Sequence, residues 1–156
     1  MAVAALPPMH TWHCADGIYT TTSRQPPCAV PLQFCDSCVV LVDARFDGDS
    51  RIYAHNSTIV LIRCVITCTG RFVVAVSSRI HMIDCDAHVA SLIRCSCTSL
   101  LRISHCHVSS RDAAKPSITL RNSSVECVAA RFKGRGATTV FVNGRPISFC
   151  VAHSTF

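Results

Sequence analysis

Five sets of side chains in this sequence have the types and spacing for chemistry. Asp84 and Asp86 stand two residues apart and would supply the two carboxylates that glycosidic cleavage needs. His10, His13, Cys14 and Cys28 precede Cys35-x-x-Cys38, whose spacing is that of a zinc knuckle. Cys64, Cys85 and Cys106 recur at intervals of 21 residues, and they are either paired as disulfides or stacked as small buried thiols. Arg131, Lys133 and Arg135 alternate along the chain, so on a strand all three would project to one side as a row for a polyanion. Asn56-Ser57-Thr58 and Asn122-Ser123-Ser124 are acceptor sequons for N-glycosylation at Asn56 and Asn122.

What these groups can do depends on the elements that carry them, and an internal repeat decides those elements. The phrases IVLIRCVI, IHMIDCDA and LLRISHCHV share one pattern, which VVLVDARF, ITLRNSSV and VFVNGRPI match at other points. Their alignment gives a first apolar column of Val39, Ile59, Ile80, Leu101, Ile118 and Val140, and a second of Leu41, Leu61, Met82, Ile103, Leu120 and Val142. Ala44, Cys64, Cys85, Cys106, Ser123 and Arg145 follow five places from the start, and Phe46, Ile66, Ala87, Val108, Val125 and Ile147 seven places from it.

Alternate residues of a strand share a face, so each pair of columns points inward. The odd step between the pairs predicts a bend near Ile62 and Arg63. A third wall is expected from Ile52 with Ala54, Phe72 with Val74, and Ile93 with Cys95. The intervals of 20, 21, 21, 17 and 22 residues predict an all-β, right-handed parallel β-helix, a pectin-lyase-like solenoid of about six coils. In the short interval, SSRDAAKPS is expected to replace the third wall with a tight loop, because Pro116 cannot donate to a ladder. A β-sandwich also alternates, but it gives no reason for small residues to recur at one phase of a 21-residue period. The repeat domain is placed at 39–156, and 1–38 is a divergent segment or a cap over a solenoid end.

The composition agrees. The chain has 156 residues, 49% hydrophobic and 15% charged, with strand-forming residues prominent. No apolar run is long enough for a membrane helix, and the opening stretch lacks the basic start of a signal peptide. The net charge is +6, and the excess lies between Arg102 and Arg145, which makes one end basic.

Placed on this fold, the candidates separate. The Cys64, Cys85 and Cys106 column reads best as a structural ladder of reduced thiols, since Ala44 and Ser123 share its column. No metal or other cofactor is expected: Cys28 is isolated, whereas a zinc site presents two close pairs. His105 and His107 should point outward and be solvated. Asp43, Arg63, Asp84, His105 and Asn122 form an outward column whose opposite charges help fix register. A catalytic use of Asp84 and Asp86 lacks the long loops that would form a cleft, so the chain is read as not an enzyme. Val40, Val42, Val60, Ile62 and Ile83 form an outer apolar stripe that predicts cover, by residues 1–38 or by another part of a longer protein. The Arg131, Lys133 and Arg135 row suits a sulfated glycan. Nucleic acid is not expected, because no stacking aromatics accompany that row.

The stretches VDARFDGDSRIYAHNSTIVL, VVAVSSRIHMIDCDAHV and SSVECVAARFKGRGATTVFVNGRPISFCVA resemble the dispersed gene family proteins of trypanosomatids over roughly Cys38 to Ala152. These are large, cysteine-containing surface proteins with β-helical repeats. The resemblance implies a glycosylated, membrane-anchored protein of the cell surface, with a role in adhesion to host-cell or extracellular-matrix glycans or proteins. It brings no catalytic residues. The chain is a small fraction of such a protein, so a module of a larger protein is expected. A carbohydrate-active enzyme using Asp84 and Asp86, or a non-functional truncated copy, is the alternative.

Overall fold

A computed structural model describes residues 12–15, 18–21, 31–112, 117–133, 140–143 and 149–153. It is a parallel β-solenoid of about 21 residues per turn, with no helix among the described residues. The strands preceding the first complete turn are β1 (Trp12–Ala15), β2 (Ile18–Thr21) and β3 (Pro31–Cys35). The first complete turn is β4 (Cys38–Val42), β5 (Arg45–Gly48) and β6 (Arg51–His55). The second is β7 (Thr58–Ile62), β8 (Val65–Cys68) and β9 (Arg71–Val76). The third is β10 (Arg79–Ile83), β11 (Asp86–Val89) and β12 (Ser91–Ser96). The fourth is β13 (Leu100–Ser104), β14 (His107–Ser110) and β15 (Ile118–Arg121). The fifth is β16 (Ser124–Val128), β17 (Arg131–Lys133) and β18 (Val140–Asn143), and β19 (Phe149–Ala152) follows it.

Three walls result. Wall A is β2-β4-β7-β10-β13-β16-β19, wall B is β1-β3-β6-β9-β12-β15-β18, and wall C is β5-β8-β11-β14-β17. Among the described residues five turns are complete on all three walls, with further strands of walls A and B at the ends. In wall A, Val39, Ile59, Ile80 and Leu101 stack in register as the repeat predicts, but the column continues through Val125 and Phe149. Ile118 and Val140, expected in that column, pair instead in wall B with Ile93 and with each other. The second column shifts likewise, with Cys127 below Ile103, and Leu120 and Val142 in wall B.

The third wall is thus present where a loop was expected to replace it. SSRDAAKPS joins β14 to β15, whereas only Ala90 separates β11 from β12. The inserted residues lengthen the wall A interval between Leu101 and Val125 to 24 residues. In wall C, Phe46, Ile66, Ala87 and Val108 stack as expected and Phe132 completes the column. Val125 belongs to wall A, and Ile147 lies outside the described residues. In wall B the phase of the second turn is one residue off: Val73 and Ala75 stack with Ile52 and Ala54, and Val74 points outward. Phe72 is also buried, with its ring 4.9 Å from that of Phe46. Pairing begins before Val39, because Pro31–Cys35 stacks in register on Arg51–His55 and Trp12–Ala15 on Leu32–Cys35.

Two corners of each turn use one device. From wall A to wall C the chain turns through Asp43, Arg63, Asp84, His105 and Ala129, all with positive φ, and His153 after β19 has the same backbone conformation. From wall B to wall A it turns through Asp36, Asn56, Ser77, Thr98 and Asn122, also with positive φ. Each left-handed residue reverses the alternation, so a small side chain follows it inward. At the A to C corner that side chain is Ala44, Cys64, Cys85, Cys106 or Ala130; Ser123 does not join this column, and Arg145 lies outside the described residues. At the B to A corner it is Ser37, Ser57, Ser78, Ser99 or Ser123, all buried.

The serine hydroxyls make that corner self-sufficient. Backbone N–H groups of Ser37, Ser57 and Ser78 donate to the hydroxyls of Ser57, Ser78 and Ser99, each at 3.1 Å. The hydroxyls of Ser57 and Ser78 in turn donate to His55 O at 2.8 Å and Val76 O at 2.7 Å. Buried polar groups are thereby satisfied from turn to turn.

Candidate functional site

The outer face of wall C at its β17 end brings a set of polar side chains from three turns together. Arg131 and Lys133 flank the buried Phe132 and are both exposed. Strand alternation therefore projects the two cations to one side, as the spacing predicts. Arg135 lies outside the described residues. In register above them stand His107 over Arg131 and Ser109 over Lys133, then Asp86 over His107 and His88 over Ser109.

These groups touch. His107 Nδ1 lies 3.4 Å from Asp86 Oδ1, and His88 Nε2 lies 3.6 Å from the same oxygen. The other nitrogen of His88, Nδ1, is hydrogen-bonded to the Ser109 hydroxyl. The two imidazoles meet edge to face, with centroids 6.2 Å apart and rings at 89°. The reading of His107 as merely solvated misses this contact. The signal was in the sequence, because Asp86 and His107, like His88 and Ser109, are separated by the same 21-residue period.

Asp84 and Asp86 are placed differently from each other. Asp86 faces the two histidines, while Asp84 occupies the left-handed corner and is exposed. A glycosidase keeps its general acid protonated by placing it in a desolvating pocket, and here both carboxylates are exposed. The neighbour of Asp84 along the corner is Arg63, which grips Asp43 through Nε to Oδ1 at 2.7 Å and Nη2 to Oδ2 at 2.8 Å. The hydrogen bond from Arg63 holds the Asp43 carboxyl below the usual range. Asn122, expected to extend this column, belongs to the B to A corner, and Ala129 takes its place.

Both sequon asparagines fall on that B to A corner and both are exposed. Asn56 donates its amide to Asp36 Oδ1 at 2.6 Å, and Ser123 points inward from Asn122.

Cys64, Cys85 and Cys106 stack as a buried, unbridged column. Cys85 donates to Ile83 O at 3.3 Å and Cys106 to Ser104 O at 3.2 Å, while Cys85 N donates to Cys106 Sγ at 3.4 Å. The hydrogen bond to Cys85, then burial, raises the Cys64 and Cys106 pKa values. Hydrogen bonds from Cys106 and Cys64 lower that of Cys85 between them. Burial pushes Cys95 up to about 12 and Cys127 up to about 11.

Cys35 and Cys38 are exposed on either side of the B to A corner, and the side chains of His10, His13, Cys14 and Cys28 lie outside the described ones. Among the described residues no three His, Cys, Asp or Glu side chains are grouped to hold a metal ion. The outer stripe of Val40, Val42, Val60, Ile62 and Ile83 is half-buried, with each member stacked on its counterparts in adjacent turns. No helix among the described residues is long and apolar enough to cross a membrane.

These features define the chain as a β-solenoid with a polar, partly cationic outer wall. Comparison with protein-family models, with curated proteins and with solved structures finds no match to it.

Proposed function

We propose that the chain is a non-catalytic module of a larger, glycosylated cell-surface protein, presenting its outer walls to host-cell or extracellular-matrix glycans or proteins in adhesion. The observation that carries this reading is the projection of Arg131 and Lys133 to one side of the last described strand of wall C, with His107 in register beside them. Two cations about 7 Å apart on one strand suit an extended polyanion such as a sulfated glycan. The same charges also protect a strand edge from pairing with another chain, so a binding measurement must separate the two roles. The resemblance to trypanosomatid surface proteins supports the adhesive reading, and the exposed Asn122 suits glycan attachment, whereas the Asn56 amide is engaged by Asp36.

The test is retention of the full chain on immobilised heparin, comparing it with a variant carrying Arg131→Ala, Lys133→Ala and Arg135→Ala. The variant should elute at lower salt, because each phosphate- or sulfate-type contact releases counterions. Equal elution would remove the row as the binding site. A carbohydrate-active enzyme would instead show turnover of a glycan panel that disappears in Asp84→Asn or Asp86→Asn.

A further inference from the structure

The B to A corner leaves a groove on the surface, and its cause is the serine column. Three consecutive turns place Asn56-Ser57-Thr58, Ser77-Ser78-Arg79 and Thr98-Ser99-Leu100 in register. In each, the left-handed residue and the first residue of wall A point outward, while the serine between them turns inward and is buried. The surface therefore dips along the solenoid axis. The resulting groove has a volume of about 370 Å3, with Asn56, Ser77 and Thr98 on one bank and Thr58, Arg79 and Leu100 on the other.

The floor is chemically occupied. Ser57 and Ser78 each accept one backbone N–H and donate to a carbonyl, so recognition falls to the banks. These offer the hydroxyls of Thr58 and Ser77, the Thr98 hydroxyl as an acceptor while it donates to Cys97 O at 2.6 Å, the carboxamide oxygen of Asn56, whose amide is held by Asp36 beyond the groove lining, and a single guanidinium. Arg79, on the middle rung, is exposed and forms no ion pair among the described residues. Neutral hydroxyl and amide groups on three rungs around one cation fit a ligand that is polyhydroxylated along its length and carries isolated carboxylates. Guanidinium binds carboxylate through a fork of two parallel hydrogen bonds. A nucleic acid would ask for more cations and for stacking aromatics.

We infer that this groove binds a linear uronic-acid-containing oligosaccharide, lying along the solenoid axis with one carboxylate on Arg79. The inference deepens the glycan-binding reading and rests on it for the ligand class, but it places the contact on a different face from Arg131 and Lys133.

The experiment is a titration of the isotope-labelled full chain with a hyaluronan tetrasaccharide, followed by amide chemical shifts, with the neutral N-acetylglucosamine tetramer as control. Shifts should concentrate on 56–58, 77–79 and 98–100. Arg79→Ala should weaken binding by about tenfold or more, as expected for loss of a charge-assisted pair, with other amides unmoved as proof of an intact fold. Arg94→Ala, which removes an exposed cation of wall B outside the groove lining, should leave the affinity unchanged. Binding that persists in Arg79→Ala, or shifts confined to 107–109 and 131–133, would overturn the groove while keeping a glycan-binding solenoid. Equal binding of the neutral tetramer would overturn the role of Arg79. Absence of shifts with hyaluronan, together with no retention on heparin, would overturn both readings.

Discussion

The backbone N–H of Ser57 donates to the hydroxyl of Ser78, 21 residues further along the chain, at 3.1 Å and out of contact with solvent. Each turn thus completes the hydrogen bonding of its neighbour at a corner where a strand ladder is interrupted. Ser78→Ala should leave the Ser57 N–H buried and unpaired and cost about 1–3 kcal/mol. Ser78→Cys should cost less, since Cys85 N already donates to Cys106 Sγ at the other corner. Urea unfolding of the two variants checks this, and an alanine variant as stable as the parent would refute the ladder's role.

The thiols should divide sharply by position. Cys35, Cys38, Cys97 and Cys150 are exposed and should react with iodoacetamide in the native protein, whereas Cys64, Cys85 and Cys106 should react only on unfolding. Peptide mapping by mass spectrometry reads each site. Native labelling of Cys85 at the rate of Cys97 would mean that the ladder opens to solvent.

His81 links stability to pH. Its Nε2 is buried without a hydrogen-bond partner, and burial first, then the Arg102 and Arg79 charges, lower its pKa from 6.5. A base with a lowered folded pKa takes its proton first in the unfolded chain. Stability attributable to His81 is therefore complete above about pH 6.5 and declines as pH falls through the window below it. Thermal unfolding between pH 7.5 and 5 should show the decline, and His81→Val, matching Val60 on the adjacent strand, should reduce it.

Arg63 is held at φ 51°, where ordinary side chains are strained and asparagine is well tolerated. Arg63→Asn should preserve or slightly raise the melting temperature despite loss of the exposed pair with Asp43. Arg63→Val should destabilise by about 1 kcal/mol or more, because a branched side chain fits that conformation worst. A valine variant as stable as the asparagine one would show that the corner relaxes.

Much of the architecture was legible because aliphatic residues recur with the turn. Val39, Ile59, Ile80 and Leu101 could be stacked from spacing alone, as could Cys64 on Cys85 and Cys106. The error at Ile118 and Val140 has a physical source: walls A and B end alike. Ile59, Leu61, Ile62, Arg63, Cys64 and Ile52, Ala54, His55, Asn56, Ser57 both read as two inward residues, one outward, one left-handed, and a small inward one. With the corners sharing one grammar, a phrase cannot be assigned to its wall without the loop that precedes it, and SSRDAAKPS hid that loop's length. The serine column was overlooked for a related reason, since serine is read as a surface residue until its hydroxyl is seen to replace a backbone partner.

By itself the sequence determined that the chain winds, how long each turn is, and which aliphatic and thiol groups line its interior, because periodicity along a chain becomes stacking once strands pair in register. Only the tertiary structure decided which wall each phrase occupies, that Asp86 meets His88 and His107, and that a polar groove runs past Arg79. Those contacts join residues of different turns across an outer surface, where no burial requirement restricts residue type and leaves a pattern to read.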